Sequence, residues 1–138
     1  MVLSQGTLEF CTSPKSFLDI TKEVQNFVSE SNIQDGVCNL FIKHTSASLV
    51  IQENYDPSVR KDFETIFSKL APEDFPYVHN MEGKDDMPAH IRSALTSTSE
   101  TVPVMNGKLS LGTWQGIYLW EHRDQPHNRK VMVSMVGE

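Results

Sequence analysis

The chain has 138 residues, enough for one domain and too few for two well-packed cores. Its apolar share is 38% and its charged share 22%, an apolar deficit that fits a small domain or subunits burying surface against each other. The net charge of −6 excludes a global attraction to nucleic acid or anionic lipid, so any anionic ligand must be held by a local site.

Met1 to Phe10 lacks the basic and apolar regions of a secretory leader, and no apolar run reaches the ~18 residues that span a bilayer. These features predict a cytoplasmic protein with no membrane partner. Cys11 and Cys38 both fall in predicted strands and read as buried thiols of a reducing compartment.

In chain order, Thr7 to Thr12 alternates, with Leu8 and Phe10 on one face, and predicts a strand. Asp19 or Thr21 can cap a helix carrying Ile20, Val24, Phe27 and Val28, which ends near Ser31–Asn32. After the Asp35-Gly36 turn, Val37 to His44 reads as a buried strand and Ser48 to Gln52 as a second. Asp56-Pro57 starts a helix with Val59, Phe63, Ile66, Phe67 and Leu70 on one face, closed by Ala71-Pro72.

Pro72 to Gly83 is rich in turn residues and reads as an irregular connection. Asp86 is then expected to cap a short helix that has Pro88 at its first position and runs from Ala89 to about Thr96. Thr101 to Met105 and Lys108 to Leu111, joined by Asn106-Gly107, predict a hairpin. Thr113 to Arg123 and Lys130 to Val136 complete the strands. The order predicts one α+β domain over 1–138: an antiparallel, sandwich-like β core with two longer helices and one short helix packed on it.

No Gly-x-Gly-x-x-Gly, phosphate-binding loop, His-Glu-x-x-His or Gly-x-Ser-x-Gly is present. Three polar clusters at the ends of apolar elements remain. In the first, His44 closes a strand and can act as a metal ligand, a general base or a half-buried structural residue. Glu53 lies nearby and would be expensive to bury unpaired, whereas Asp56 is explained by capping. In the second, Asp85-Asp86-Met87-Pro88-Ala89-His90 puts His90 in the first turn of a helix, whose N-terminus favours anions, with Asp86 close enough to orient the ring. In the third, Gly112 to Gly116 frames Trp114 and Gln115 and leads to Glu121-His122-Arg123. Trp114 can stack on a flat ring or pack in the core, and Glu121 and His122 should face opposite sides of a regular strand.

Taken together, these segments resemble the YjbQ-like family. The resemblance rests on His44-Thr45-Ser46-Ala47-Ser48 with Glu53-Asn54, on Asp85 to Ile91, and above all on Leu111-Gly112-Thr113-Trp114-Gln115-Gly116 with Glu121-His122-Arg123. It implies a homotrimer with a polar pocket near the subunit boundary that takes metal ions or oxyanions. It also implies a weak secondary thiamine-phosphate synthase activity, joining a pyrimidine pyrophosphate to a thiazole phosphate.

On that basis His44, His90, Glu53 and Asp86 are the candidate catalytic residues. The same four with His122 are candidate ligands for a divalent ion, Mg²⁺ or Zn²⁺. Trp114, Gln115 and Arg123 are candidates for holding a small phosphorylated metabolite. Some members carry a His-x-His pair ahead of the short helix; here Pro88 takes the first position, which argues against a three-histidine zinc site. The alternatives are a non-catalytic binding module for a metal or phosphorylated metabolite, and a structural trimer whose polar groups only satisfy one another.

Overall fold

A computed structural model describes all 138 residues. Eight strands and three helices follow in the order β1 Val2–Cys11, β2 Phe17–Asp19, α1 Thr21–Ser31, β3 Gly36–Ile42, β4 Ala47–Glu53, α2 Pro57–Leu70, α3 Asp86–Leu95, β5 Ser99–Met105, β6 Lys108–Leu109, β7 Gln115–Glu121 and β8 Asn128–Gly137. All pairings are antiparallel. A five-stranded sheet has the order β1-β8-β3-β5-β6, and a three-stranded sheet the order β2-β7-β4.

The sandwich core follows from period-two alternation. Val131, Val133 and Met135 of β8 and Cys38, Leu40 and Ile42 of β3 point inward. They meet Ala47 and Leu49 of β4, Ile117 and Leu119 of β7, and Val24 and Val28 of α1. The α+β expectation therefore holds. On the other side of the small sheet, Phe63 and Phe67 of α2 pack against Trp120, whose ring also stacks on Phe17 at 4.2 Å.

The local signals perform as their chemistry dictates. Asp56 Oδ1 accepts from the Ser58 N–H, and Pro57 opens α2. Asn32 ends α1 in the left-handed region, and Asn106 and Gly107 both take positive φ in the β5–β6 hairpin. Where expectations differ, long-range pairing decides. β1 is longer than its alternating stretch because β8 pairs with it from Val2 to Cys11. The short β2 exists by pairing with Tyr118 to Trp120. The first helix has Ile20 at its cap position with no side-chain cap bond. Asp19 Oδ1 instead accepts from both the backbone N–H and the hydroxyl of Thr21. Cys11 is exposed, unlike Cys38, and both are free thiols. No helix is long and apolar enough to cross a membrane.

Asp86 does not cap α3. The helix begins at Asp86 itself, with Asp85 at the cap position and no side-chain capping bond. Both carboxylates are drawn away by cations: Arg123 Nε donates to Asp85 Oδ2 and Arg123 Nη1 lies 2.9 Å from Asp86 Oδ1.

Two glycines face each other where β3 meets β8. A Cβ at Gly36 would lie 2.1 Å from the Val136 carbonyl oxygen, and one at Gly137 the same distance from the Asp35 oxygen. Both obstacles are backbone of the ladder itself and cannot turn aside. Gly36→Ala is expected to cost at least the ~1–3 kcal/mol typical of overpacking; an unchanged urea midpoint would contradict this close approach.

Candidate functional site

Three ligand-type side chains converge on the N-terminal turn of α3. Asp86 Oδ2 lies 2.6 Å from His79 Nε2 and 3.2 Å from His90 Nε2. One ligand atom from each of the three lies within 4.8 Å of the others. Helical geometry puts Asp86 and His90 one turn apart on a single face, and the irregular segment before the helix delivers His79. Asp86 is buried, while the two imidazoles are open to solvent on one side.

The surroundings orient these groups. His90 Nδ1–H donates to the Thr45 carbonyl at 3.0 Å, which leaves its Nε2 lone pair directed at the carboxylate. Two acceptors so placed call for a cation between them, either a proton or a metal ion. Burial pushes the Asp86 carboxyl up, but the His79 hydrogen bond and the charges of His90 and Arg123 outweigh it and hold the group below the usual range. Two imidazoles, one carboxylate and an open side, with His90 backed by the Thr45 carbonyl and Asp86 by Arg123, form the donor chemistry of a three-residue metal site. Such a set suits Zn²⁺ and similar transition ions better than Mg²⁺, which takes oxygen ligands.

Beside this cluster runs a groove of about 490 Å³, bordered by Phe41, His44, Thr45, His90, Ala94 and Thr98 among others. His44 and His90 thus border one space although they are 46 positions apart. His44 is not one of the clustered ligands, because its Nε2 accepts the Lys130 backbone N–H at 2.8 Å.

His122, another candidate ligand, is fully buried elsewhere. Its Nε2 is 2.8 Å from Ser48 Oγ, which also bonds to Thr96 Oγ1 at 2.6 Å. Its Nδ1 has no protein partner, and the ring borders a small cavity of about 190 Å³ with Lys15, Ser68, Glu73 and Arg92. Burial, helped by the charges of Arg92 and Arg129, pushes His122 down to about 3 and keeps it neutral.

Glu53, Trp114 and Gln115 lie at the opposite end of the small sheet. Glu53 pairs with Gln115, whereas Ala47, beside the His44 loop, pairs with Glu121 at the other end of the ladder. Six strand steps separate these ends by about 20 Å. Glu53 accepts the Asp56 N–H, Gln115 accepts the Gly112 N–H, and Trp114 sits exposed against Tyr55. Within one copy of the chain, none of the three reaches the His79-Asp86-His90 cluster. Arg123 does reach it, through the carboxylates of Asp85 and Asp86 and not as a free phosphate grip.

Sequence reasoning missed His79. It lies in a connection with no periodicity, so only its residue type, seven positions before an acidic residue and eleven before another histidine, could have marked it.

The family described as UPF0047 protein YjbQ-like matches residues 6–138. The UPF0047 protein sll1880 of Synechocystis is 53% identical over 97% of this chain and 92% of its own length. The UPF0047 protein YjbQ of Salmonella typhimurium is 43% identical over 97% and 98% respectively. Among solved structures, a YjbQ/UPF0047 family protein of Clostridium acetobutylicum superposes with a TM-score of 0.87 at 40% identity, covering 94% of this chain and 98% of that one. A YjbQ-like protein of Sulfolobus solfataricus reaches 0.91 at 27% identity over 99% of both chains.

The neutrality of His122 has a sign that can be tested. Its folded value, about 3, lies below the ordinary 6.5. Its contribution to stability is therefore complete above pH 6.5 and lost as the pH falls, because the unfolded chain takes a proton that the folded one refuses. The loss should approach ~1.4 kcal/mol per pH unit. His122→Gln keeps a polar end for Ser48 and should flatten this slope between pH 6.5 and 4. Parallel slopes for variant and wild type in urea melts would contradict it.

Proposed function

Because the chain belongs to the UPF0047 family of YjbQ-like proteins, we propose that it binds a divalent transition-metal ion at His79, Asp86 and His90 and, in the adjoining groove, a small phosphorylated metabolite. The observation that carries this reading is the orientation of His90, whose Nδ1–H is spent on Thr45 and whose Nε2 is turned toward the Asp86 carboxylate. When bound there, the metal would supply a Lewis-acidic centre for a ligand's phosphoryl oxygens. The groove, at about 490 Å³, has the usual size for one small ligand.

Two functions compete for this site. A binding module needs only the ligands and the groove. A thiamine-phosphate synthase, the activity implied by the family resemblance, also has to hold two substrates and release pyrophosphate. A binding module asks for no proton transfer and no second substrate, so it is the simpler reading of the cluster and the groove. Zn²⁺ at a hundred times its dissociation constant should stabilise the wild-type chain by about 2.7 kcal/mol. Since loss of an outer partner alone weakens a metal site about 10–100-fold, His79→Ala and His90→Ala should each weaken it by more. A melt that Zn²⁺ does not shift would overturn the metal reading. Pyrophosphate release from the two synthase substrates would decide for catalysis over binding alone.

The same reading takes the active form to be a homotrimer. No helix covers the outer face of the five-stranded sheet. In register across it run Leu3, Val136, Val37 and Pro103, with Thr7, Met132 and Phe41 two rungs of outward residues away. Leu3 is 60% exposed and Phe41 47%, so a single copy leaves apolar side chains in water on both sides of a polar row of Gln5, Ser134, Asn39 and Thr101. Phe41 also borders the groove, which places its end of that face beside the site. Light scattering should return about three times the chain mass of 15.6 kDa for the wild type, and a smaller mass for Phe41→Glu. A wild-type monomer mass would refute the assembly.

A further inference from the structure

We infer that His44 is neither a metal ligand nor a base but a fixed hydrogen-bond donor, whose Nδ1–H grips an oxyanion of the ligand bound in the groove. The inference rests on the metal-and-phosphate reading above and deepens it.

The argument begins with the edge of the β3–β8 ladder. Regular pairing of these strands ends at Ile42 and Val131. One residue further, the Lys43 N–H donates to the Lys130 carbonyl. The Lys130 N–H then has no strand carbonyl to meet, and His44 Nε2 takes that place at 2.8 Å. An imidazole nitrogen thus substitutes for the next backbone acceptor of the sheet.

The consequence for the ring is strict. A backbone N–H can only donate, so Nε2 must carry a lone pair and no proton. In a neutral imidazole the proton then sits on Nδ1. The environment supports neutrality: burial and the Arg129 charge lower the His44 value, against a smaller opposing effect from Glu121. Nδ1–H has no protein acceptor, and the side chain borders the groove. Coordination through Nε2 would break a ladder bond, and Nδ1 has no lone pair to offer.

A fixed donor recognises an acceptor, and the hydroxyls of Thr45 and Thr98 on the same wall can turn to donate beside it. Ser93, also on the groove wall, spends its hydroxyl proton on the Ala47 carbonyl and adds no competing donor. The Lys43 side chain, likewise on the wall and exposed, favours negative charge on the ligand. The ligand this describes is a small anion with two oxyanion ends, one at the cation site and one at His44, lying along the apolar surface of Phe41 and Ala94. Phosphate and carboxylate ends share this chemistry.

Two measurements test the role of His44. Long-range proton–nitrogen NMR of the wild-type chain at neutral pH should give His44 as the Nδ1–H tautomer; an Nε2–H tautomer or an imidazolium would overturn the inference. The second is titration of the cobalt(II)-loaded protein with inorganic pyrophosphate and, separately, succinate. His44→Gln places an amide oxygen where Nε2 accepted the Lys130 N–H but has no donor at the Nδ1 position. It should leave cobalt affinity unchanged and weaken the preferred anion by at least about tenfold, the worth of one hydrogen bond to a charged group. The tighter of the two anions in the wild type identifies the oxyanion class.

Loss of cobalt affinity in His44→Gln would make His44 a ligand and overturn the inference. So would an anion affinity that the substitution leaves unchanged, or no binding of either anion by the wild type. If the wild-type chain fails to bind cobalt, the metal reading falls, and the tautomer and the anion titrations on the metal-free protein still decide the role of His44.

Discussion

The buried ion pair between Glu121 and Arg129 is the contact on which the arrangement of the site depends. It closes one end of the sandwich, with Glu121 from the small sheet and Arg129 from the large one, both almost fully excluded from water. Arg129 Nε donates to Glu121 Oε1 at 2.8 Å, and its Nη2 bonds to the other carboxylate oxygen. Thr12 Oγ1 and the Arg123 N–H fill the remaining acceptor positions. Burial raises the Glu121 carboxyl, but these donors, led by Arg129, overcome it and hold the group ionised. Removing one partner of such a pair costs about 3–5 kcal/mol, because the other charge is left buried alone.

Two arms of the site hang from this pair. Arg129 Nη2 also donates to the carbonyl and hydroxyl of Ser46, which fixes the turn carrying His44 and Thr45. Thr45 in turn orients His90. On the other side Glu121 accepts the Arg123 N–H, and the Arg123 guanidinium holds Asp85 and Asp86. A single inter-sheet contact therefore sets both the imidazole and the carboxylate of the metal-type cluster. The adjacent residue His122 faces the opposite side of the same strand end and locks α3 to β4 through Ser48 and Thr96.

This construction explains how a small sandwich without a standard catalytic motif can present a polar site. Two of the three site histidines have one nitrogen satisfied by the backbone: His44 by the Lys130 N–H, His90 by the Thr45 carbonyl. The nitrogens left over have opposite character: on His44 a donor, on His90 a position for a proton or a metal ion. The rings border one groove as complementary halves, one suited to an oxyanion and the other to a cation. The groove also opens beside Phe41 on the outer face of the large sheet, so assembly through that face would share a boundary with ligand binding.

Much of this was legible locally. Asp56-Pro57, Asn106-Gly107 and the alternation of Val131, Val133 and Met135 carry their own backbone preferences and appeared where their chemistry placed them. His90 and Asp86 were likewise marked by their spacing before a helix. Only tertiary structure decided what these residues touch. Asp86 was pulled from a capping role by Arg123 and His79, partners 37 and seven positions away. His79 was invisible in an aperiodic segment, and Glu53, Trp114 and Gln115 share the far end of a ladder whose register no local pattern reveals. Helix caps and turns are settled by a few neighbouring dihedrals and hydrogen bonds, which a sequence states directly. The tautomer of an imidazole or the partner of a carboxylate is settled by which distant backbone groups the sheets bring alongside, and that follows only when the chain has closed on itself.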